Sequence, residues 1–168
     1  MNDLTVIQTA QGLFAYCQSF FPSSESHSII IGFDARYNSK KWAYITAKVF
    51  IEGGWRALIF RDFCPTPFVS FGVTFFSSAC GVMVTASHNP KDDNGYKVFW
   101  NNGAQIIPPH DKGISDSIDL SLIPKDSSWG IENIEKNKLC IDPTDEILKS
   151  YLAKQKNLCY TPGAGALM

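Results

Sequence analysis

Apolar and polar positions repeat along the chain with two different periods, and these periods separate helices from strands. Apolar residues recur at helical spacing over residues 3–20 and 40–52. Short β-branched or aromatic runs bounded by polar turns, which are typical of buried strands, occupy residues 28–34, 55–60 and 79–85. The pattern therefore predicts a chain in which helices and strands alternate.

Turn and capping residues indicate where several of these elements begin and end. Ser39 is placed to cap the second helix, and Gly53 with Gly54 is placed to end it. Pro67 opens a third helix over "FVSFGVTFF" near its first turn. The remaining predicted helices are one that begins at His110 or Asp111 and one over residues 142–155 that is capped by Asp142 or Thr144.

The alternation of helices and strands predicts a three-layer α/β/α domain built on a mostly parallel mixed sheet. The segment "GYKVFW" (95–100) alternates with a period of two, so we expect it to pair with the preceding strand as an antiparallel edge. In open sheets of this kind, ligands collect where strands end in loops. The loops 34–39 and 85–95 both follow strand ends, and we expect them to lie side by side.

Composition narrows the class of partner. With 168 residues, 45% of them hydrophobic and 18% charged, the chain has the size and composition of one globular domain. A net charge of -1, a sequence pI near 6.3 and the lack of any long run of like charges exclude an electrostatic surface for nucleic acid or anionic membrane. A small polar ligand fits better.

The cysteines and the first twenty residues bear on the compartment. The five cysteines are an odd number without a CxxC pair, so we expect reduced thiols: Cys17, Cys64, Cys80, Cys140 and Cys159. The first twenty residues lack a basic leader and a continuous apolar run, and they are interpreted as an amphipathic helix. Both features predict a cytoplasmic protein.

The loop "TASHNPKDDNG" (85–95) carries residues suited to chemistry. Ser87 lies three residues after Val84, the last apolar residue of a predicted buried strand, so a rigid scaffold would present its hydroxyl. Such a hydroxyl suits a nucleophile or a phosphate carrier, although the same residue types also make an ordinary polar turn. His88 is a candidate ligand positioner or proton carrier, and alternatively a solvated loop histidine.

Two cations accompany this loop. Lys97, in an otherwise apolar strand, must place its ammonium against an anion, a carboxylate or water, so a phosphate and simple snorkelling are both open. Arg36, just after the predicted strand end at Asp34, could form a bidentate pair with a phosphate or bridge to Asp34. A serine hydrolase is disfavoured because the flanks of Ser87 are not GxSxG. The terminal "GAGALM" carries almost no weight as a glycine loop, since no helix follows it.

Four segments together resemble the α-D-phosphohexomutase family, and its phosphoglucomutase 2 and phosphopentomutase branch above all. They are "TASHNP", "DDNGYKVFW", the upstream "GFDARYNS" and the intervening "TPFVSF". The resemblance covers residues 1 to about 160. It implies the domain I fold of that family, with residues 1–155 as a domain that lacks its first strand and 156–168 as the truncated entry into a second domain.

The resemblance also implies a reaction. In that family the serine matching Ser87 is a phosphoserine that exchanges its phosphoryl group with sugar phosphates through a bisphosphate. It implies that His88 and Lys97 act in catalysis, that Arg36 binds phosphate, and that Ser87 helps to bind Mg²⁺ through its phosphate. A sugar bisphosphate of the glucose 1,6-bisphosphate type is the implied activator.

Family members have four domains, so the sequence predicts a fragment of a longer enzyme. The acidic loop that completes the family's metal site is absent from it. An alternative hypothesis is a catalytically silent fragment that binds the missing domains or a full-length mutase through exposed apolar surface. A phosphate on Ser87 would favour the first hypothesis over the second.

Overall fold

The computed structural model describes residues 1–22 and 27–158, and within them the chain forms one five-stranded sheet with helices on both faces. The elements are α1 (Asp3–Phe20), β1 (Ser28–Phe33), α2 (Ser39–Glu52), β2 (Arg56–Ile59), α3 (Thr66–Phe75), β3 (Cys80–Val84), β4 (Tyr96–Trp100), α4 (His110–Asp119), β5 (Cys140–Ile141) and α5 (Thr144–Lys156). Two 3₁₀ turns, Asp126–Trp129 and Ile134–Lys136, lie between α4 and β5.

The sheet has the strand order β4-β3-β1-β2-β5 and is mixed, as predicted. Strand β1 pairs in parallel with β2 and β3, and β2 pairs in parallel with β5. Strand β4 is antiparallel to β3, with Lys97 opposite Met83, so the prediction of an antiparallel edge over residues 95–100 is confirmed. Strand β5 was not predicted from the sequence, because two residues are too few to show a period.

Alternate residues of the central strand face two different cores, which produces three layers. Ile29 and Ile31 pack with α1 and α2, whereas Ile30 packs with α3 and α5. Helix α4 lies beside α1, close enough that a Cβ on Gly12 would stand 2.4 Å from the Ile118 Cα. These layers confirm the predicted α/β/α fold. No helix within 1–22 and 27–158 is both long and apolar enough to cross a membrane.

The start of α2 differs from its prediction. Asn38, with a left-handed φ of 65°, is the N-cap residue and makes no side-chain capping bond. The Ser39 hydroxyl instead donates to Asp34 Oδ1 at 2.8 Å. The capping role predicted for Ser39 is therefore wrong, because Ser39 is the first residue of the helix and its hydroxyl donates to a carboxylate within reach. Gly54 follows α2 with a φ of 84°, which agrees with the predicted glycine stop.

Two other helix starts agree with the sequence. Helix α4 begins at His110, and Pro67 lies in the first turn of α3. At α5 the prediction of Asp142 or Thr144 as the N-cap residue is wrong, since the N-cap residue is Pro143, but Asp142 Oδ1 accepts the Thr144 N–H at 2.9 Å. Asp142 thus supplies the acceptor that the first turn needs.

The predicted domain boundaries remain predictions. Most of the segment 156–168, including "GAGALM", lies outside the described residues. The sheet in the described part has β4 and β5 at its edges, and it neither supports nor contradicts a further strand. Four cysteines lie in the described part, Cys17, Cys64, Cys80 and Cys140, and all four are free thiols there.

Candidate active site

Residues 85–95, called the serine loop from here on, join β3 to β4. The loop is closed at its base, where the Thr85 N–H donates to the Gly95 carbonyl at 3.0 Å. A Cβ on Gly95 would lie only 2.6 Å from the Thr85 carbonyl oxygen, so glycine permits this close approach of the two chains. The serine loop therefore leaves the sheet from a fixed base.

Ser87 stands exposed on the serine loop in a left-handed conformation with a φ of 56°. Non-glycine residues rarely adopt this conformation, and it persists only where the surroundings enforce it. The Ser87 N–H donates to Thr85 Oγ1 at 3.0 Å, and the Asn89 N–H donates to the Ala86 carbonyl at 3.0 Å. These local bonds hold the backbone around the serine.

Lys97 reaches Ser87 from the neighbouring strand. It lies half-buried on β4, on the face that also carries Phe99, and its Nζ donates to Ser87 Oγ at 2.5 Å. The structure thus directs the ammonium of Lys97 at the loop hydroxyl, and a phosphate contact of Lys97 stays a prediction. A hydrogen bond from a charged donor is among the stronger kinds in proteins. The pair can stabilise negative charge on Oγ.

Arg36 is enclosed by the serine loop. Its side chain is 11% exposed, and its Nε–H donates to Asp34 Oδ2 at 2.9 Å. Backbone carbonyl groups of the serine loop accept its other four N–H groups: Ser87 (2.8 Å), Asn89 (2.8 Å), Asp93 (3.1 Å) and Pro90. The structure therefore shows the predicted bridge to Asp34. A phosphate contact of Arg36 stays a prediction.

Asp34 connects this arginine to β1. Its N–H donates to the Val84 carbonyl at 3.2 Å, which joins the ends of β1 and β3. Burial raises the pKa of the Asp34 carboxyl, but hydrogen bonds from Thr85, Ser39 and Arg36 outweigh this and leave the pKa below its ordinary value. Asp34 is therefore an ionised anchor at the strand end.

A second set of bonds links the loops 34–39 and 85–95. The Asn94 side-chain amide donates to the Tyr37 carbonyl at 2.9 Å and to Ser39 Oγ at 3.1 Å. The prediction that these two loops lie side by side is therefore confirmed. Sequence reasoning missed Asn94, although an asparagine before a glycine indicates a turn whose amide can bond to neighbouring backbone.

His88 lies next to Ser87 and is exposed. In the described residues its side chain takes part in none of the hydrogen bonds or aromatic contacts around the serine loop. The structure thus puts His88 beside the serine without fixing its ring, and its role as positioner or proton carrier stays a prediction.

Carboxylates near the serine loop do not assemble a metal site. Across residues 1–22 and 27–158, no three His, Cys, Asp or Glu side chains come together as metal ligands. The carboxylate of Asp34 is already engaged by Arg36 and Ser39. The described residues by themselves therefore do not fit Mg²⁺, and its binding through a Ser87 phosphate stays a prediction.

Two cavities lie away from the serine loop. One of about 470 Å³ lies between the start of α2 and residues 131–135, with Tyr44 and Glu135 in its wall. A neighbouring cavity of about 420 Å³ shares those two residues and extends to Arg61. None of the residues that line either cavity belongs to the serine loop, so a ligand at Ser87 would bind outside both of them.

Known proteins resemble this chain in sequence. The family model for phosphoglucomutase/phosphomannomutase, alpha/beta/alpha domain I, matches residues 1–121. The phosphopentomutase of Homo sapiens is 44% identical over 166 residues, which is 95% of this chain and 27% of the relative. The phosphoribomutase of Saccharomyces cerevisiae is 43% identical over 167 residues, 94% of this chain and 26% of the relative. The glucose 1,6-bisphosphate synthase of Homo sapiens is 37% identical over 166 residues, 95% of this chain and 27% of the relative.

Solved structures agree in fold. A phosphoglucomutase/phosphomannomutase family protein of Burkholderia thailandensis superposes with a TM-score of 0.62 at 16% identity, over 87% of this chain and 31% of that one. A Thermus thermophilus structure of the phosphomannomutase type superposes with a TM-score of 0.72 at 19% identity, over 92% of this chain and 32% of that one. The chain spans about a quarter of the length of the curated relatives it matches. By its sequence and its fold, the chain belongs to the phosphoglucomutase/phosphomannomutase family, as its domain I.

Proposed function

We propose that this chain is the phosphoserine-carrying domain of an intramolecular phosphotransferase that interconverts sugar 1-phosphates and 6- or 5-phosphates through a bisphosphate. The observation that supports this function best is the bond of 2.5 Å from Lys97 Nζ to the exposed Ser87 Oγ. The names of two relatives, a phosphopentomutase and a phosphoribomutase, support pentose phosphates as substrates, and that of a third, a glucose 1,6-bisphosphate synthase, supports hexose phosphates.

The proposed step moves one phosphoryl group in two directions. A sugar bisphosphate donates this group to Ser87. The bond from phosphorus to Ser87 Oγ forms while the bond from phosphorus to the sugar oxygen breaks. Ser87 Oγ loses its proton, and the sugar oxygen gains one and becomes a hydroxyl. In the reverse direction a hydroxyl at the other position of the sugar takes the group back. Phosphoryl transfer of this kind depends on positioning and on stabilising the charge of the phosphoryl oxygens.

Each residue of the site has a role in this step. Lys97 stabilises the charge that develops on Ser87 Oγ when the phosphoserine gives up its phosphoryl group. The resemblance further implies that Lys97 acts as general acid or base for the sugar hydroxyl, and that His88 positions the ligand or carries a proton. Mg²⁺ and a bisphosphate activator belong to this proposal, although no step here is assigned to residues that would bind the metal.

The exposed face of helix α5 supports a second candidate function. Leu148 and Leu152 on this helix are 41% and 50% exposed, and large apolar side chains in solvent favour a partner. On this hypothesis the chain is a silent fragment that binds the remaining domains or a full-length mutase. The two candidates differ in whether Ser87 accepts phosphate.

The test is phosphoryl uptake by the purified chain. The parent, Ser87→Ala and the control Ser115→Ala, which removes an exposed serine from α4, are each incubated with glucose 1,6-bisphosphate and Mg²⁺. Mass spectrometry of the intact chain is expected to find one phosphoryl group on the parent and on Ser115→Ala, and none on Ser87→Ala. Equal uptake by all three chains, or uptake by none, would refute the proposal.

A further inference from the structure

Arg36 contacts the serine loop only through backbone carbonyl groups. A guanidinium has five N–H donors in a fixed plane. In this chain Asp34 and four carbonyl groups within residues 87–93 accept all five. Arg36 therefore recognises the path of the serine loop and not its side chains.

The four carbonyl groups explain why the serine loop needs a cation. Carbonyl oxygens that converge on one point carry like partial charges, and these repel each other. A guanidinium at that point satisfies each oxygen and neutralises their combined dipoles. A lysine ammonium has only three donors and no planar fork, so it cannot replace this arrangement.

The arginine is itself held from the sheet. Asp34 follows β1 directly, and its carboxylate accepts from the Arg36 Nε–H, the Arg36 backbone N–H at 3.1 Å and the Ser39 hydroxyl. The chain of contacts thus runs from β1 through Asp34 and Arg36 to the carbonyl of Ser87. That residue's hydroxyl is the one that Lys97 contacts.

We propose that Arg36 is a positioning residue, which holds the serine loop in the shape that keeps Ser87 Oγ beside Lys97. For its effect on phosphoryl transfer this proposal rests on the proposed function. It differs from the role that the resemblance implies, because a phosphate ligand would change the affinity for the sugar phosphate, whereas a positioning residue changes the loop and the rate.

The experiment combines two measurements on the full chain and three variants. Hydrogen exchange follows the amides of Ser87, Asn89 and Asp93, whose N–H groups are bonded within the serine loop. The rate of Ser87 phosphorylation is measured against glucose 1,6-bisphosphate concentration. The variants are Arg36→Lys, Asp34→Asn and the control Arg61→Lys, which alters an exposed arginine paired with Asp142 and Asp145.

With Arg36→Lys we expect the exchange rate of the three amides to rise roughly tenfold or more, because the loop loses hydrogen bonds from a charged donor. The maximal phosphorylation rate is expected to fall by a similar factor, with little change in the half-saturating bisphosphate concentration. Arg61→Lys should leave both unchanged. Asp34→Asn should raise loop exchange less than Arg36→Lys does.

Two outcomes would overturn the proposal. One is unchanged loop exchange in Arg36→Lys. The other is a rise in the half-saturating concentration alone, which is the behaviour of a phosphate ligand. If Arg36→Lys does not fold, Asp34→Asn takes its place, and unchanged exchange at the three loop amides in Asp34→Asn would overturn the proposal. If the parent accepts no phosphoryl group, the proposed function fails, and the exchange measurement still judges the role of Arg36.

Discussion

Replacing Lys97 by methionine removes the ammonium from Ser87 and keeps an unbranched side chain on β4. Lys97 lies on the side of the sheet that also carries Phe99, and Met83 is opposite it on β3, so methionine suits the apolar surroundings there. The substitution therefore removes the charge of the side chain and leaves an apolar side chain at this position of β4. Any change in phosphoryl transfer then reports on the contact between Nζ and Oγ.

The size of the effect follows from this single contact. A hydrogen bond from a charged group contributes about 1.5–3 kcal/mol, and about 1.4 kcal/mol corresponds to a tenfold change in rate. The loss of charge stabilisation at Oγ alone therefore lowers the phosphorylation rate roughly 10- to 150-fold. If Lys97 also transfers a proton to or from the sugar hydroxyl, the loss reaches about 10²- to 10⁴-fold.

The assay is a single-turnover measurement of Ser87 phosphorylation by excess glucose 1,6-bisphosphate, read by mass spectrometry. The matched control is Lys91→Met, which removes an exposed lysine from the same loop. We expect the parent and Lys91→Met to react at the same rate. A Lys97→Met rate within about twofold of the parent, far below the expected loss, would contradict the reasoning. An equal loss of rate in Lys97→Met and Lys91→Met would contradict it as well, because the rate would then depend on the total charge near the serine loop and not on the contact of Lys97 with Ser87.

Two further predictions concern stability. Because the pKa of Asp34 is lowered in the folded chain, its contribution to the free energy of unfolding is full above the ordinary aspartate pKa and is lost as pH falls through the lowered value. Urea unfolding between about pH 6 and pH 2 should therefore show a difference between the parent and Asp34→Asn that shrinks with acid, and a constant difference would contradict this. Gly95→Ala should lower the free energy of unfolding by about 1–3 kcal/mol, because its Cβ would lie 2.6 Å from a backbone oxygen. Gly130→Ala, whose Cβ would meet only a movable Glu132 side chain at 3.0 Å, is the control, and equal losses in the same unfolding assay would contradict the argument.

The order of helices and strands could be predicted from the sequence because the spacing of apolar residues is regular over most of these elements. The apolar run of β1 is buried on both faces, and the two-residue alternation of β4 appears in the structure as Val98 facing one core and Phe99 the other. The edge loops followed from the topology, since parallel strands end at the same side of a sheet. Strand β5 has only two residues and therefore left no pattern to find.

The site was predictable in its residue types and less so in its contacts. Ser87 and Lys97 could be predicted as candidate residues because a hydroxyl follows one apolar strand and an amine interrupts the next. The sequence left Arg36 open between phosphate and Asp34, because its other partners are backbone carbonyl groups, which every residue has. The left-handed conformation of Ser87 was not predictable either, since serine has no preference for it.

The antiparallel pairing of β3 with β4 has a consequence for how the proposed catalyst would work. The serine and its amine are ten residues apart on one hairpin, so the pairing of β3 with β4 brings both groups to the same end of the sheet, and the contacts of Arg36 with the serine loop fix the path of the loop between them. In the proposed catalyst, a displacement of the whole hairpin would move the nucleophile and its charged partner together, whereas a change in the path of the loop alone would separate them.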